Sequence, residues 1–140
     1  ATQSYLAYFA TSAVPTVKPR SNVYLEFAPL DRDHHRSLFD PQSEKNRKAI
    51  APLSALLAHF GVDRAKVLDY WMDNSLFSSW TRPPQKFTLD EPVCTADVAA
   101  YTALGITDIT SFGCFLGEDY ESLYGAPDIA AYGRILKQYL

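Results

Sequence analysis

Lys66-Val67-Leu68-Asp69-Tyr70-Trp71-Met72-Asp73 is the stretch on which the fold turns. Its β-branched and aromatic residues lie between a helical pattern that stops at Gly61 and a Pro-rich loop holding Trp80, Pro83, Pro84 and Pro92, so it reads as a strand. Upstream, Ile50, Leu53, Leu56, Leu57 and Phe60 recur at spacings of three and four, which predicts helix from about Pro41 to Phe60. Pro52 removes a backbone donor there and predicts a kink or two shorter helices. Before that helix stand two further strands. One covers Tyr5 to Ala10, and the other covers Asn22 to Ala28 and is stopped by Pro29. In the second, Val23, Leu25 and Phe27 fall on one face and Tyr24, Glu26 and Ala28 on the other. Downstream, Thr95 is expected to cap a helix that carries Asp97 in its first turn and ends at Gly105. Ile106 to Phe115 reads as a fourth strand. A loop from Leu116 to Ala126 then leads to a helix with Pro127 in its first turn and Ile129, Tyr132, Ile135, Leu136 and Tyr139 along one side.

The order is β, β, α, β, α, β, α, and strands separated by helices imply parallel pairing with right-handed crossovers. One α/β domain over residues 1–140 is expected. Its four parallel strands and covering helices suit a small open sheet or half of a (βα)8 TIM-like barrel. A complete barrel takes about 250 residues, so this chain is expected not to close one alone.

Hydrophobic residues at 47% and charged residues at 21% are ordinary for a globular domain and exclude a disordered chain. A net charge of −3 without a basic stripe argues against nucleic acid as a partner. The longest basic stretch, Glu44-Lys45-Asn46-Arg47-Lys48, reads as a solvated helix face. No apolar run approaches the roughly 18 residues of a spanning helix, so no membrane role is expected. Two cysteines, Cys94 and Cys114, cannot build a disulfide framework, and free buried thiols are expected in preference to a bridge.

In parallel α/β folds ligands gather at the carboxyl ends of the strands, and three of those ends are acidic and aromatic here. Glu26 precedes Pro29-Leu30-Asp31-Arg32-Asp33-His34-His35-Arg36. Strand three ends in Asp69-Tyr70-Trp71-Met72-Asp73-Asn74-Ser75, and strand four leads into Gly117-Glu118-Asp119-Tyr120. Carboxyl groups beside aromatic faces suit saccharide chemistry, in which one acid protonates the leaving oxygen, a carboxylate attacks or activates water, and rings pack on the sugar. Glu26, Asp69 and Asp73 are the candidate catalytic carboxylates. Strand alternation is expected to place Asp69, Trp71 and Asp73 on one face, although Asp69 and Asp73 serve equally well as hydrogen-bonded residues that fix loops. Arg32, His34, Trp71, Asn74, Trp80, Asp119 and Tyr120 are the candidate saccharide contacts. For Arg32 the alternative is a surface loop position, and for Trp80 an anchor of its loop. Adjacent His34 and His35 point opposite ways on an extended stretch, and no HxH or HExxH spacing is present, so neither metal nor cofactor is expected. The chain has no GxSxG elbow, no GxGxxG and no P-loop.

Several stretches resemble a family of large secreted or periplasmic-type proteins described mainly as a domain of unknown function, whose barrel is similar to those of alpha-glucuronidases and beta-hexosaminidases. The residues that carry the resemblance are Tyr5-Leu6-Ala7-Tyr8, Pro19 with Asn22-Val23, Ala28-Pro29-Leu30-Asp31-Arg32-Asp33, and Asp69-Tyr70-Trp71-Met72-Asp73-Asn74-Ser75-Leu76-Phe77. They continue with Tyr101, Leu104-Gly105-Ile106, Asp119-Tyr120, Leu123-Tyr124-Gly125 and Asp128-Ile129. The resemblance implies the C-terminal half of a glycoside-hydrolase-like barrel, with the first four strands and the central acid pair lying upstream. It favours supporting or sugar-contacting roles for Asp69, Trp71, Asp73 and Tyr120. The expected partners are a carbohydrate and either a second copy or the missing N-terminal half-barrel. The alternative function is a non-catalytic module that binds saccharide or assembles with itself.

Overall fold

A computed structural model describes residues 1–140. Four strands, β1 (Gln3–Ala7), β2 (Val23–Phe27), β3 (Ala65–Asp73) and β4 (Asp108–Cys114), form one all-parallel sheet in the order β1-β2-β3-β4. The helices are α1 (Glu44–Ile50), α2 (Leu53–Phe60), α3 (Asn74–Phe77), α4 (Glu91–Ala103), α5 (Glu118–Tyr124) and α6 (Ala130–Tyr139). A 3₁₀ helix over Phe9–Ser12 stands in the β1 to β2 connection, and its following loop reaches α2 through His59 Nε2 and the Val17 carbonyl. No helix is long and apolar enough to cross a membrane.

The α/β reading and all four parallel strands stand. Sequential order has a physical consequence: when every connection crosses with the same hand, all of them land on one face of the sheet. Tyr5, Ala7, Leu25, Phe27, Val67 and Ile109 point to that face, where they pack with Leu56 and Phe60 of α2, Val98 and Tyr101 of α4 and Ile135 of α6. Ser4, Leu6, Tyr24, Glu26, Lys66, Leu68, Thr110 and Phe112 point to the other face, and none of them is buried. Parallel sheets are normally covered on both sides, so this uncovered face is the unusual feature of the molecule.

Pro52 divides the long helix as expected, into α1 and α2. Several boundaries differ from the sequence reading: β1 ends at Ala7, with Phe9 and Ala10 in the 3₁₀ helix, and Pro127 lies ahead of α6, which begins at Ala130. Helix α4 begins at Glu91, with Asp90 accepting from the Val93 N–H at 3.2 Å and Pro92 in the first turn, so Thr95 and Asp97 lie inside the helix. Proline is tolerated there because first-turn N–H groups have no helical partner. The stretch expected as a loop from Leu116 to Ala126 contains α5, which opens at Gly117 with Glu118 and Asp119 in its first turn, where acidic side chains suit the helix dipole. Cys94 is buried, Cys114 is half-buried, and both are free.

Cap placement gives a direct check. Asp90→Ala lowers stability by about 1 kcal/mol, the usual cost of a lost N-cap, whereas Thr95→Ala stays within about 0.5 kcal/mol. Urea midpoints of the two variants measure the difference.

Candidate functional site

The carboxyl end of β3 is built around a guanidinium that cannot lose its charge. Arg32, in the loop after β2, is buried. It reaches Asp69 of β3 at 3.0 Å and Asp97 of α4 at 2.8 Å, and its other contact is the Arg36 carbonyl at 2.7 Å. Each carboxylate is further satisfied. Asp69 accepts from the Tyr70 N–H at 2.8 Å and the Tyr101 hydroxyl at 3.1 Å. Asp97 accepts from the Trp71 indole at 3.0 Å and, at 2.7 Å each, from the Ser37 hydroxyl and the Leu38 N–H. Buried ions persist only with such partners. Asn46 of α1, fully buried, completes the loop's support by taking the Asp33 N–H at 2.7 Å and donating to the Ser37 carbonyl at 2.8 Å.

Two carboxylates therefore share one cation. Burial pushes the Asp69 carboxyl up to about 6 despite the Arg32 guanidinium, and the neighbouring Asp97 pushes the same way. Burial works against the Arg32 charge, but Asp69 and Asp97 hold its pKa above the ordinary value. Burial raises the Tyr101 hydroxyl, with Asp69 adding to the effect, so it stays protonated and donates.

This network corrects several expectations. Arg32 is neither a surface residue nor free to grip a substrate carboxylate, because both terminal nitrogens are occupied and Nε, the one without a partner, is buried. Asp69 and Trp71 are buried within the same network and face the helices. Asp73 does not share their face. Between Asp69 and Met72 the ladder shifts, three steps on β3 matching two on β4 from Ser111 to Gly113, so a bulge reverses the alternation. Asp73 emerges on the uncovered side and caps α3 by accepting from the Ser75 N–H at 3.0 Å. Asn74 is buried and donates to the Gln85 carbonyl at 2.8 Å, and buried Tyr120 receives the Phe87 N–H at 3.2 Å. Both hold the loop after β3 in place. In the Glu44–Lys48 run the solvated reading fails at Asn46 alone, which is buried by the loop it binds.

What gathers on the uncovered side is a different set. Tyr70 lies against Phe112, ring centroids 5.9 Å apart, and against His34 at 6.2 Å. Burial raises its hydroxyl pKa, and Tyr8, Asp69, Asp73 and Glu26 add to the effect; strand register turns Glu26 and Asp73 to the same face as Tyr70. Glu26 is half-buried and meets Lys66 at 3.4 Å. His34 Nε2 faces the Leu30 carbonyl at 2.8 Å, and burial lowers its pKa, so the ring is neutral at pH 7 and donates there. Of the residues singled out from sequence, Glu26, His34 and Asp73 are thus brought together. Tyr8 and Tyr70 were missed, although Tyr70 stands inside the decisive stretch.

Aromatic residues at the strand ends carry backbone strain. Phe9, Trp80 and Phe115 follow β1, β3 and β4 with φ of 45°, 58° and 57°. Positive φ is a real outlier for bulky side chains and tends to concentrate at functional sites. Trp80 is 63% exposed, its N–H fixed to the Ser75 carbonyl at 2.8 Å. Arg82 stacks over Phe115 at 4.3 Å and pairs with Asp119, so Asp119 is engaged at the rim. A groove of about 830 Å³ opens at the ends of β1 and β2, lined by Phe9, Phe27, Leu30, Lys45 and Pro52 among others. No group of three or more His, Cys, Asp or Glu side chains is arranged to hold a metal ion. Comparison with family models, with curated proteins and with solved structures gives no match to the chain.

Replacing Arg32 by Met leaves two acids buried without their cation and costs about 3–5 kcal/mol, read from urea unfolding. A second outcome concerns pH. The folded chain keeps the Asp69 proton up to about pH 6, whereas an unfolded aspartate has lost it by about pH 4. This carboxyl's contribution to stability therefore falls as pH rises through that window and is level above it. Asp69→Asn removes that slope, and urea midpoints from pH 4 to 7 compare the two chains.

Proposed function

We propose that the chain is half of a glycoside-hydrolase-like (βα)8 barrel and that it supplies saccharide contacts at the carboxyl ends of its strands. The observation that carries this reading is the group of Glu26, His34, Tyr70 and Asp73 on the side of a sequentially ordered parallel sheet that its helices leave uncovered. A barrel collects its ligand groups at that end and on that side. Four strands in chain order, each connection on the outer face, are the arrangement that continues into a barrel when more strands are added. The resemblance to alpha-glucuronidase and beta-hexosaminidase barrels agrees with it.

The division of labour differs from a two-carboxylate active site. Asp69 is locked by Arg32, Asp73 caps α3, and Glu26 is opposite Lys66. No free acid pair is left, which favours holding and orienting sugar over cleaving it within this chain. Trp80 and Phe9, exposed and held at strained positions, offer flat faces to pyranose C–H groups, and neutral His34 with the Tyr8 and Tyr70 hydroxyls offers hydrogen-bond partners. Glu26 is the one proposed carboxylate contact.

Titration with N-acetylated and acidic oligosaccharides under tryptophan fluorescence tests the reading. Trp80 is the reporter, since buried Trp71 is shielded. A saturable change is expected, weakened about fivefold in Trp80→Ala, as loss of about 1 kcal/mol of ring contact implies. A flat response across the panel counts against saccharide at this rim.

A further inference from the structure

The geometry points to a second copy of this chain as what covers the open face of the sheet, with β4 of one copy pairing parallel to β1 of the other around a two-fold axis. The inference rests on the half-barrel reading but not on its sugar. Its first support is the pair of sheet edges. An edge strand presents unpaired N–H and C=O groups, and proteins protect such edges with Lys, Pro or inward charges. Here β1, Gln3-Ser4-Tyr5-Leu6-Ala7, has no charged residue and no proline, and β4 has only Asp108, at its first position. Neither strand therefore carries the charges or prolines that block pairing, and the one contact that pairing at the end of β1 displaces is the Thr11 hydroxyl donating to the Leu6 carbonyl at 2.8 Å.

Direction is the second support. The two edges of a parallel sheet run the same way, so a two-fold axis along the strands brings β4 against β1 of the partner without reversing either. That contact occurs twice and closes eight strands, a number at which a barrel interior is filled by side chains. Among head-to-tail rings, the two-fold one closes with the fewest strands.

Side chains beside the edges suit the same occupant. At the carboxyl end of β4, under the turn that leads into α6, lies a groove of about 690 Å³ lined by Met72, Ser111, Gly113, Pro127, Ile129 and Tyr132 among others. Ile129 is exposed there. On the open face Leu6 is 42% exposed at the β1 edge and Phe112 is 43% exposed at the β4 edge. Closure makes these two cross-strand neighbours inside the ring. It also brings both copies of the Tyr70 cluster to one rim.

Light scattering on a sizing column tests this with the intact chain. The expected mass is twice 15.7 kDa, falling to one chain in the Leu6→Asp and Phe112→Asp variants. In one chain those positions face solvent, so circular dichroism should stay unchanged. Amide hydrogen exchange of the wild type, which needs no variant, should show slower exchange in β1 and β4 as concentration rises. A wild-type monomer at the highest soluble concentration with fast edge amides overturns the second copy and leaves the half-barrel standing. A monomer whose edge amides are protected overturns both, and a dimer that both variants preserve overturns this interface.

Discussion

Arg32 is the constraint on which the candidate site depends. A guanidinium keeps its charge at any accessible pH, so placing it where solvent does not reach obliges the chain to surround it with acceptors. The chain does so with one residue from β3 and one from α4, Asp69 and Asp97, and then satisfies each of those carboxylates in turn. The result ties the loop after β2, the third strand and the fourth helix into one unit. Because removing any one member strands the others, the three elements keep a fixed relation to one another. Trp71 and Tyr101 take part with their polar ends while their rings remain in the apolar core.

Rigidity on the helix side has a counterpart on the open side. The strands whose inner faces are pinned by packing and by the Arg32 network turn Glu26, Tyr70 and Asp73 outward to the same region. One bulge in β3 separates the two roles of its carboxylates. Asp69 stays with the core, and Asp73, four residues on, is delivered to the rim. A single extra residue in a ladder is enough to turn what strand periodicity would make a pair on one face into two buried acids on opposite faces, one held by Arg32 and one capping α3.

The uncovered face and the unprotected edges belong to one physical problem. A parallel sheet in sequential order places all its connections on one side, so it cannot cover its other side from its own helices. Open doubly wound sheets avoid this by reversing strand order, and barrels avoid it by closing. This chain has the sequential order, with Leu6 and Phe112 partly exposed on the face its helices leave open.

The sequence alone determined the four strands and the longer helices in their order, but not the short helices α3 and α5, because the former rest on short-range rules. Short apolar, β-branched and aromatic runs bounded by turn residues marked the four strands, spacings of three and four marked the main helices, Pro52 marked the break between α1 and α2, and Gly61 and Gly105 marked helix ends. It also placed the acidic and aromatic residues at strand ends. Whether Arg32 lies in solvent or in the core, and whether Asp69 faces a ligand or a guanidinium, only the tertiary structure decided. The reason is distance along the chain: Arg32, Asp69 and Asp97 are brought together from three separate elements, and nothing local to any of them signals the other two. The bulge that sends Asp73 to the open face is likewise a property of β3 pairing with β4, and a strand read by itself shows only even alternation.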